Sequence, residues 1–190
     1  LRAQRAMTTE LGLRGNRHVD GADLGWDITA YRANVRNELL EVQVNKGQFT
    51  TSNAGQTVHQ GVEMGISVLA NRWKAQMSYL YNDFTFDRDA TYGNNRIAGV
   101  PSQVLAAEAA LKLPAGIWFG PTLRAASRSW VDHKNTLAAP GYTVLGLKLN
   151  QSLAHGIDWF VEGRNLGDKR YAATTGVIGD ASLSAANLAQ

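Results

Sequence analysis

The stretch at residues 53–70, NAGQTVHQGVEMGISVLA, decides the fold of this chain. From residue 57 onward, one set of alternate positions is almost entirely apolar: Val58, Gln60, Val62, Met64, Ile66, Val68 and Ala70. The intervening set is polar or small: Thr57, His59, Gly61, Glu63, Gly65 and Ser67. A period of two predicts a β-strand with two unlike faces. The strand exceeds the ~5–6 residues usual in soluble sheets. Its length suits a transmembrane β-barrel, whose strands need ~9–11 residues to cross the membrane.

The same alternation recurs along the chain and predicts an all-β protein of about eight antiparallel strands, with no firm helix. The predicted strands are residues 9–17, 24–36, 57–70, 73–86, 103–113, 117–131, 142–153 and 157–166. A helical turn at 182–190, SLSAANLAQ, is a weaker prediction. Connections after the odd-numbered strands are short, whereas those after the second, fourth and sixth run from about nine to eighteen residues. Short turns at one end and long loops at the other are typical of outer-membrane barrels. The apolar run LLEVQV in the first long connection predicts an extension of a hairpin beyond the membrane.

Composition excludes several classes of protein. The 190 residues contain 19 basic and 16 acidic side chains and no cysteine. Thiol nucleophiles, zinc–thiolate sites and disulfides are therefore excluded. The mild charge of +3 gives no reason to expect nucleic acid as a partner. No apolar run reaches the ~18 residues of a membrane helix. The opening LRAQRAMTTE has no signal-peptide core, so we expect a cytosolic chain or an internal part of a longer one.

All five tryptophans lie near the ends of predicted strands: Trp26, Trp73, Trp118, Trp130 and Trp159. Aromatic residues at the two water interfaces form the girdles of a membrane barrel. Ordinary core tryptophans are the alternative reading of this pattern.

The sequence predicts no catalytic site, metal site or cofactor. His59 and Glu63 share a face of one strand but stand ~13 Å apart along it, so a structural role lining the interior is favoured. Three acidic residues, Asp83, Asp87 and Asp89, suggest a calcium loop. They lack the glycine and glutamate positions of an EF-hand, and a solvated acidic loop is favoured.

Four segments occur in an order that resembles the C-terminal part of the β-barrel of TonB-dependent outer-membrane receptors, in the siderophore-receptor branch. They are NAGQTVHQGVEMGISV, NRIAGVPSQVL, NTLAAPGYTVLGLKL and VEGRNLGDKRYAA. The motif positions given a structural role by this resemblance are Asn53, Gly55, Gly61, Glu63, Gly99, Pro101, Gly141, Asn165, Asp168 and Tyr171. In that family the barrel has 22 strands around a plugged lumen. Residues 1–190 would then be a partial barrel domain, with the plug domain and the closing strand absent.

The resemblance implies a transporter, not an enzyme, in the outer membrane of a Gram-negative cell. Its partners would be a ferric siderophore or similar metal chelate, TonB acting through the absent plug, and outer-membrane lipid. Aromatic and cationic residues in or beside the long loops suit an anionic chelate. The candidate ligand-binding residues are Tyr92, Arg96, Trp130, His133 and Lys134.

Two alternatives come from other classes. The first is a free-standing eight-stranded outer-membrane barrel, an adhesin or structural anchor, whose first and eighth strands would pair. The second is a soluble all-β binding module, which the fully apolar strand faces disfavour.

Overall fold

The structure, a computed structural model, describes residues 1–45, 48–178 and 181. Twelve β-strands are present in this part of the chain: β1 Arg5–Val19, β2 Ala22–Arg36, β3 Leu39–Asn45, β4 Gln48–Asn53, β5 Gln56–Ala70, β6 Trp73–Phe86, β7 Gln103–Lys112, β8 Trp118–Ala126, β9 Ser129–Trp130, β10 Ala138–Ala139, β11 Tyr142–Ser152 and β12 Asp158–Gly163. Two single-turn 3-10 segments, Pro114–Gly116 and Ala154–Gly156, form short connections. No helix among the described residues is long and apolar enough to cross a membrane. The helical turn predicted for 182–190 lies outside the described residues.

Eight strands form one antiparallel sheet in the order β1-β2-β5-β6-β7-β8-β11-β12. This confirms the predicted all-β meander. β1 and β12 are the two edges of the sheet and do not pair. The described residues therefore do not close into an eight-stranded barrel, and that alternative is wrong for this sheet. The remaining strands form two small hairpins, β3–β4 and β9–β10. The first of these contains the predicted LLEVQV extension.

The strand predictions differ from the structure by more than one residue in the first hairpin, in the sixth predicted strand and in the eighth. β1 and β2 are both longer than expected, since they pair residue by residue up to a two-residue turn. That turn is Asp20-Gly21, and both residues have positive φ (50° and 78°), as hairpin turns of this length require. The predicted strand 117–131 ends at Ala126, because the chain leaves the main sheet there and β9 pairs with β10. The eighth predicted strand is shorter, since β12 ends at Gly163.

The sheet has two unlike faces. Residues on the apolar face pair with each other across strands, as in the row Trp26, Ile66 and Met77. Large apolar side chains on this face are exposed; Leu11 is 80% exposed and Leu111 is 62% exposed. No described part of the chain covers this surface. A soluble binding module would normally bury such a large apolar patch, so this alternative is disfavoured.

The other face is polar and lines an open trough of about 1630 Å³. Opposite charges from the two strands that flank β8 meet there, and Lys148 Nζ lies 3.2 Å from Glu108 Oε2. Near the short turns, the ammonium groups of Lys74 and Lys112 lie 5.0 and 5.7 Å from the ring centre of Trp118. These contacts fit polar residues that line a lumen.

At one end of the sheet, three tryptophans lie where an aromatic girdle is expected. Trp26, Trp73 and Trp159 stand on the apolar face close to the short turns. Trp118 is on the polar face, and Trp130 lies at the opposite end in β9. None of the five is buried, so the alternative of core tryptophans does not apply.

Candidate functional site formed by the long loops

All three long connections lie at the same end of the main sheet. They are residues 37–55, 87–102 and 127–141. At this end the register of β2, β5 and β6 places Val35, Thr57 and Phe86 in one row on the polar face. The loops fold inward onto this row, and Phe86 is only 1% exposed.

A small hydrophobic core joins the loops. Ala54 from the first loop and Ile97 from the second are buried with Phe86. The ring of Tyr92 lies 4.8 Å from that of Phe86, and the ring of His133 meets Phe86 edge-on at 5.3 Å. Each of the three loops therefore contributes a side chain, and burial of their apolar surface holds them together.

Glu38 attaches the first loop to the wall. Its carboxylate accepts a hydrogen bond from the Thr57 hydroxyl, and Oε2 lies 3.0 Å from His59 Nε2. The His59 ring also stacks on Phe84 with centres 4.3 Å apart. Burial acts to raise the pKa of Glu38, but the hydrogen bonds from His59 and Thr57 outweigh it and hold this pKa below its ordinary value. His59 thus meets a loop carboxylate instead of Glu63, and both remain on the polar face.

Asp132 organises the third loop. Its Oδ1 accepts hydrogen bonds from the backbone N–H groups of Thr136 (2.9 Å) and Leu137 (2.8 Å). Its Oδ2 accepts one from the Thr136 hydroxyl at 2.7 Å. Although burial acts to raise the pKa of this carboxyl, these bonds lower it. The side chain replaces backbone partners in a tight turn, as Asp commonly does.

The buried side chain of His133 packs between the second and third loops. It is 2% exposed, and its Nδ1 accepts a hydrogen bond from the Ala98 N–H at 3.3 Å. Its Nε2 has no hydrogen-bond partner among the described residues. Burial lowers the pKa of His133 below its ordinary value, although nearby carboxylates, led by Asp132, oppose this shift. The side chain is therefore neutral near pH 7.

Backbone-directed amide side chains complete the link between these two loops. Asn135 Oδ1 accepts a hydrogen bond from the Arg96 N–H at 2.8 Å, and Asn135 Nδ2 donates to the Arg96 carbonyl at 2.9 Å. Asn95 Nδ2 donates to the His133 carbonyl at 3.1 Å. The two loops consequently form one hydrogen-bonded unit.

Residues 177–178 cross over the loops and connect two of them. The Gln43 N–H donates to the Val177 carbonyl at 2.8 Å, and the Ile178 N–H donates to the Val131 carbonyl at 2.9 Å. Ile178 is buried at 7% exposure. Ile178 therefore bridges β3 and the third loop.

The structure places the five predicted ligand-binding residues in the second and third loops, with different surroundings. Tyr92 and His133 are in the loop core. Trp130 is half-buried, with the Arg128 guanidinium 5.1 Å from its ring centre. Lys134 is exposed. Arg96 pairs through Nη2 with Asp83 Oδ1 at 2.9 Å, and Asp83 lies on the apolar face.

The three acidic residues considered for calcium do not converge. Asp83 pairs with Arg96 and accepts a hydrogen bond from Gln60 Nε2 at 3.0 Å. Asp89 Oδ1 caps a turn by accepting the N–H groups of Thr91 and Tyr92. Among the described residues, no group of three or more His, Cys, Asp or Glu is placed to hold a metal ion.

Several motif residues occupy positions that demand small size or particular backbone angles. At Gly61, a Cβ atom would collide with the Tyr81 carbonyl and with the Tyr31 hydroxyl that lies over it. Gly99 has φ of 85° and lies against Val177. At Gly141, a Cβ atom would lie 2.6 Å from the Ala126 carbonyl.

Other motif residues act through side-chain hydrogen bonds and ring contacts. Asn53 Nδ2 donates to the Asn37 carbonyl at 2.8 Å, and the Asn37 N–H donates to the Gly55 carbonyl at 3.0 Å. Asn165 closes a turn by bonding both the N–H and the carbonyl of Lys169. The remaining positions are placed as follows: Glu63 on the polar face, Pro101 with its carbonyl accepting from Asn82 Nδ2, Asp168 at positive φ in the 165–169 turn, and Tyr171 with its ring 4.4 Å from that of Tyr142.

Sequence reasoning missed the residues that assemble the loops. Glu38, Thr57, Asp132 and Asn135 were not predicted. Asp132 followed by Thr136 in a polar loop carried a usable signal, because an Asp side chain often bonds the backbone a few residues ahead. The contact of Glu38 with His59 had no such signal, since 21 residues separate them.

Comparison with known sequences identifies one family. A family model described as "TonB dependent receptor-like, beta-barrel" matches residues 1–166. No curated protein sequence gives a significant match.

Solved structures show the same arrangement of strands. The ferric yersiniabactin uptake receptor FyuA of Yersinia pestis matches 94% of this chain with a TM-score of 0.71 at 19% identity. The siderophore receptor PiuA of Acinetobacter baumannii matches 92% with a TM-score of 0.66 at 20% identity. The copper transporter OprC matches 89% with a TM-score of 0.68 at 17% identity. The chain spans only 26–27% of the length of these proteins, and such identities establish the fold alone.

Proposed function

The chain belongs to the TonB-dependent receptor-like β-barrel family, and on this premise we propose that it forms wall strands and outer loops of an outer-membrane transporter. The proposed cargo is a ferric siderophore or similar metal chelate, imported with energy delivered through TonB. The plug that would contact TonB, and the strand that would close the barrel, are proposed to lie outside residues 1–190. Proteins of similar structure include a siderophore receptor, a ferric yersiniabactin uptake receptor and a copper transporter, which supports a metal-bearing cargo.

The observation that carries this proposal is the position of the loop cluster. Three loops pack against one another on the polar face at the long-loop end of the sheet, and the trough lies on the same face between this cluster and the short turns. A cluster held by buried contacts and hydrogen bonds presents its exposed residues in fixed positions, which reduces the entropy lost on binding. Such an arrangement suits the mouth of a ligand-importing barrel.

We assign different roles to the five loop residues. Trp130, with Arg128 beside it, and the exposed Lys134 would contact an anionic chelate through ring stacking and charge. Tyr92 would complete this surface from the second loop. His133 and Arg96 would act indirectly by holding the loops in place, His133 through the Ala98 N–H and Arg96 through Asp83.

The apolar face would contact outer-membrane lipid. Its exposed leucines, methionines and isoleucines would be costly in water and favourable in hydrocarbon. Trp26, Trp73 and Trp159 would then lie at the periplasmic interface, because the short turns face that side in this architecture.

The proposal is tested by deleting the complete gene and measuring uptake of a panel of radiolabelled iron and copper chelates. We expect uptake of one chelate class to be lost, and to be lost equally when TonB is removed. Unchanged uptake of every chelate would overturn the proposal. Replacing Trp130 with Ala should weaken binding of that chelate, whereas Trp159→Ala, at the opposite end of the sheet, should leave its affinity unchanged.

A further inference from the structure

His133 connects the third long loop to three other parts of the molecule. Its Nδ1 accepts a hydrogen bond from the Ala98 N–H of the second loop at 3.3 Å. Its backbone N–H donates to the Ile178 carbonyl at 3.3 Å, which helps to fasten residues 177–178 to the third loop. Its ring also meets the Phe86 ring of β6 edge-on, with 5.3 Å between the ring centres. Contacts on three sides of the loop cluster therefore depend on this one residue.

The contacts of the His133 ring determine where its protons lie. A neutral imidazole carries a hydrogen on one ring nitrogen, and the other nitrogen accepts. Because Nδ1 accepts from Ala98, the hydrogen is on Nε2, which has no hydrogen-bond partner among the described residues. A second proton would have to bind Nδ1, where it would face the Ala98 N–H. The protonated ring therefore cannot keep this hydrogen bond, and it leaves donors unsatisfied in a site that is 2% exposed.

Three carboxylates surround His133 without bonding its ring. Asp132 is on the same loop, Glu38 is on the first loop and Asp89 is on the second. In the described part of the chain, these carboxylates accept hydrogen bonds from other groups. Burial lowers the pKa of His133 below its ordinary value and outweighs the carboxylates, led by Asp132, which favour a protonated ring. On the wall, His59 of β5 is a further titratable group, and it contacts Glu38.

We propose that His133 is a pH-sensitive switch for the loop cluster: a proton on Nδ1 separates the second loop from the third and opens the cluster. In the closed state, at neutral pH, the loops hold Tyr92 and Trp130 in fixed positions for an anionic chelate. In a mildly acidic medium the loops open, these positions are lost, and the chelate binds less tightly. The effect on the chelate rests on the proposed function, whereas the opening rests on the loop contacts alone.

The direction and size of the effect follow from proton linkage. In the open cluster the ring is in water and titrates near its ordinary value of 6.5, whereas the closed cluster disfavours the proton. Closure is therefore fully favoured above pH 6.5. Below it, the ratio of open to closed molecules rises by up to roughly tenfold per pH unit, until the ring of the closed form is protonated as well. Glu38 keeps its charge in this range, because its pKa is held below 4.5.

The first experiment measures loop opening in the complete receptor in detergent, without any chelate. Spin labels are attached at Ala90→Cys in the second loop and Leu137→Cys in the third, two exposed positions, in a receptor that carries no other cysteine. Double electron–electron resonance at pH 7.5, 6.5 and 5.5 gives the fraction of molecules with the loops apart. We expect the ratio of open to closed molecules to rise several-fold or more between pH 6.5 and 5.5.

Two histidine variants assign this opening to one ring. His133→Asn keeps an acceptor for the Ala98 N–H but does not titrate, so its label distances should be the same at all three pH values. His59→Gln removes the wall histidine and should keep the wild-type response. If His133→Asn is open at every pH, NMR of the wild-type receptor labelled with ¹³C-histidine decides, because the His133 signal should titrate together with loop opening.

Four results would overturn the switch. They are a wild-type receptor that stays closed at pH 5.5, equal opening in His133→Asn, loss of the response in His59→Gln, and a His133 ring that stays neutral while the loops separate.

The second experiment measures binding of the radiolabelled chelate that the uptake panel selects. The affinity of wild type relative to His133→Asn should fall several-fold between pH 7.5 and 5.5, and this ratio cancels any protonation of the chelate itself. A constant ratio would overturn the effect on chelate binding. If the panel selects no chelate, the transport proposal fails, while the label distances still decide whether His133 is a switch.

Discussion

His59 Nε2 lies 3.0 Å from Glu38 Oε2, and this contact joins the wall strand β5 to the first long loop. The Thr57 hydroxyl donates to the same carboxylate, so one acidic side chain from the loop binds two neighbouring positions on the polar face. Because the carboxylate is buried and satisfied by these donors, removing its charge should release the loop.

We predict that Glu38→Gln loosens the β3–β4 hairpin at neutral pH. A neutral amide makes weaker hydrogen bonds than a carboxylate, by roughly 1 kcal/mol in total, so the loop should open several-fold more often. The chain contains no cysteine, so a spin label at Ser52→Cys reports hairpin mobility without other labelling sites in it. The matched control is Glu41→Gln on the exposed side of the hairpin, which should leave the spectrum unchanged.

The same label should report a pH dependence in the wild type. The pKa of Glu38 is held below its ordinary value of 4.5 in the folded state. Its contribution to loop stability is therefore fully present above about pH 4.5 and is lost as the pH falls through the lower, folded pKa. Label mobility that stays constant down to pH 3, or that rises equally in Glu38→Gln, would contradict this prediction.

The third loop should weaken in a different pH window because of His133. Burial lowers the pKa of His133 from its ordinary value of 6.5, so its contribution is fully present above pH 6.5 and declines as the pH falls toward the folded pKa. Loop opening should rise by up to roughly tenfold per pH unit. Hydrogen exchange of residues 127–141, corrected for intrinsic pH effects, measures this. His133→Asn keeps an acceptor for the Ala98 N–H and should abolish the dependence, whereas His18→Asn at an exposed site should not.

Gly61→Ala should destabilise the sheet by ~1–3 kcal/mol or more. The added Cβ would collide with the Tyr81 carbonyl, which is fixed in the β5–β6 ladder, and with the Tyr31 hydroxyl. The midpoint of urea unfolding in lipid vesicles measures the cost. Gly167→Ala, where a Cβ would have no neighbour within 4 Å, is the control. Equal midpoints for the two variants would show that Gly61 is not required for this packing.

The assignment of faces predicts opposite outcomes for two adjacent residues. Met77 is on the apolar face of β6, and Ser78 is on the polar face that lines the trough. Met77→Arg should cost ~2–4 kcal/mol in a bilayer, whereas Ser78→Arg should cost less than about 1 kcal/mol. Folding measurements in vesicles compare them. A larger cost for Ser78→Arg would mean that the two faces are reversed.

The strands of the main sheet could be predicted from sequence because each one carries its own alternation of apolar and polar residues. Residues 57–70 alternate so regularly that both the strand and its two faces were predictable, and their pairing with β2 and β6 keeps each set on one side. The prediction failed at residues 127–131, where the chain leaves the main sheet and Ser129–Trp130 pairs with Ala138–Ala139. Alternation reports which side chains share a face, and it does not report which strand supplies the hydrogen bonds.

The loop cluster was less predictable because its contacts depend on where each loop folds. The position of four of the five candidate residues in long loops followed from the predicted connections, whereas Trp130 was predicted to lie beside a loop in the strand 117–131. The contacts that each of these residues makes could not be predicted. Nothing near Arg96 in sequence indicates that it pairs with Asp83 on the apolar face, which is opposite the trough. The crossing of residues 177–178 over two loops likewise joins segments more than 40 positions apart.

By itself, the sequence determined the antiparallel strands, their apolar and polar faces, and the end at which the long loops lie, because periodicity and turn residues act over a few neighbouring positions. Only the tertiary structure decided that Glu38 meets Thr57 and His59, and that His133 is buried with no hydrogen-bond partner for Nε2 among the described residues. These features depend on register between strands and on loop closure, which set distances between residues that the chain separates.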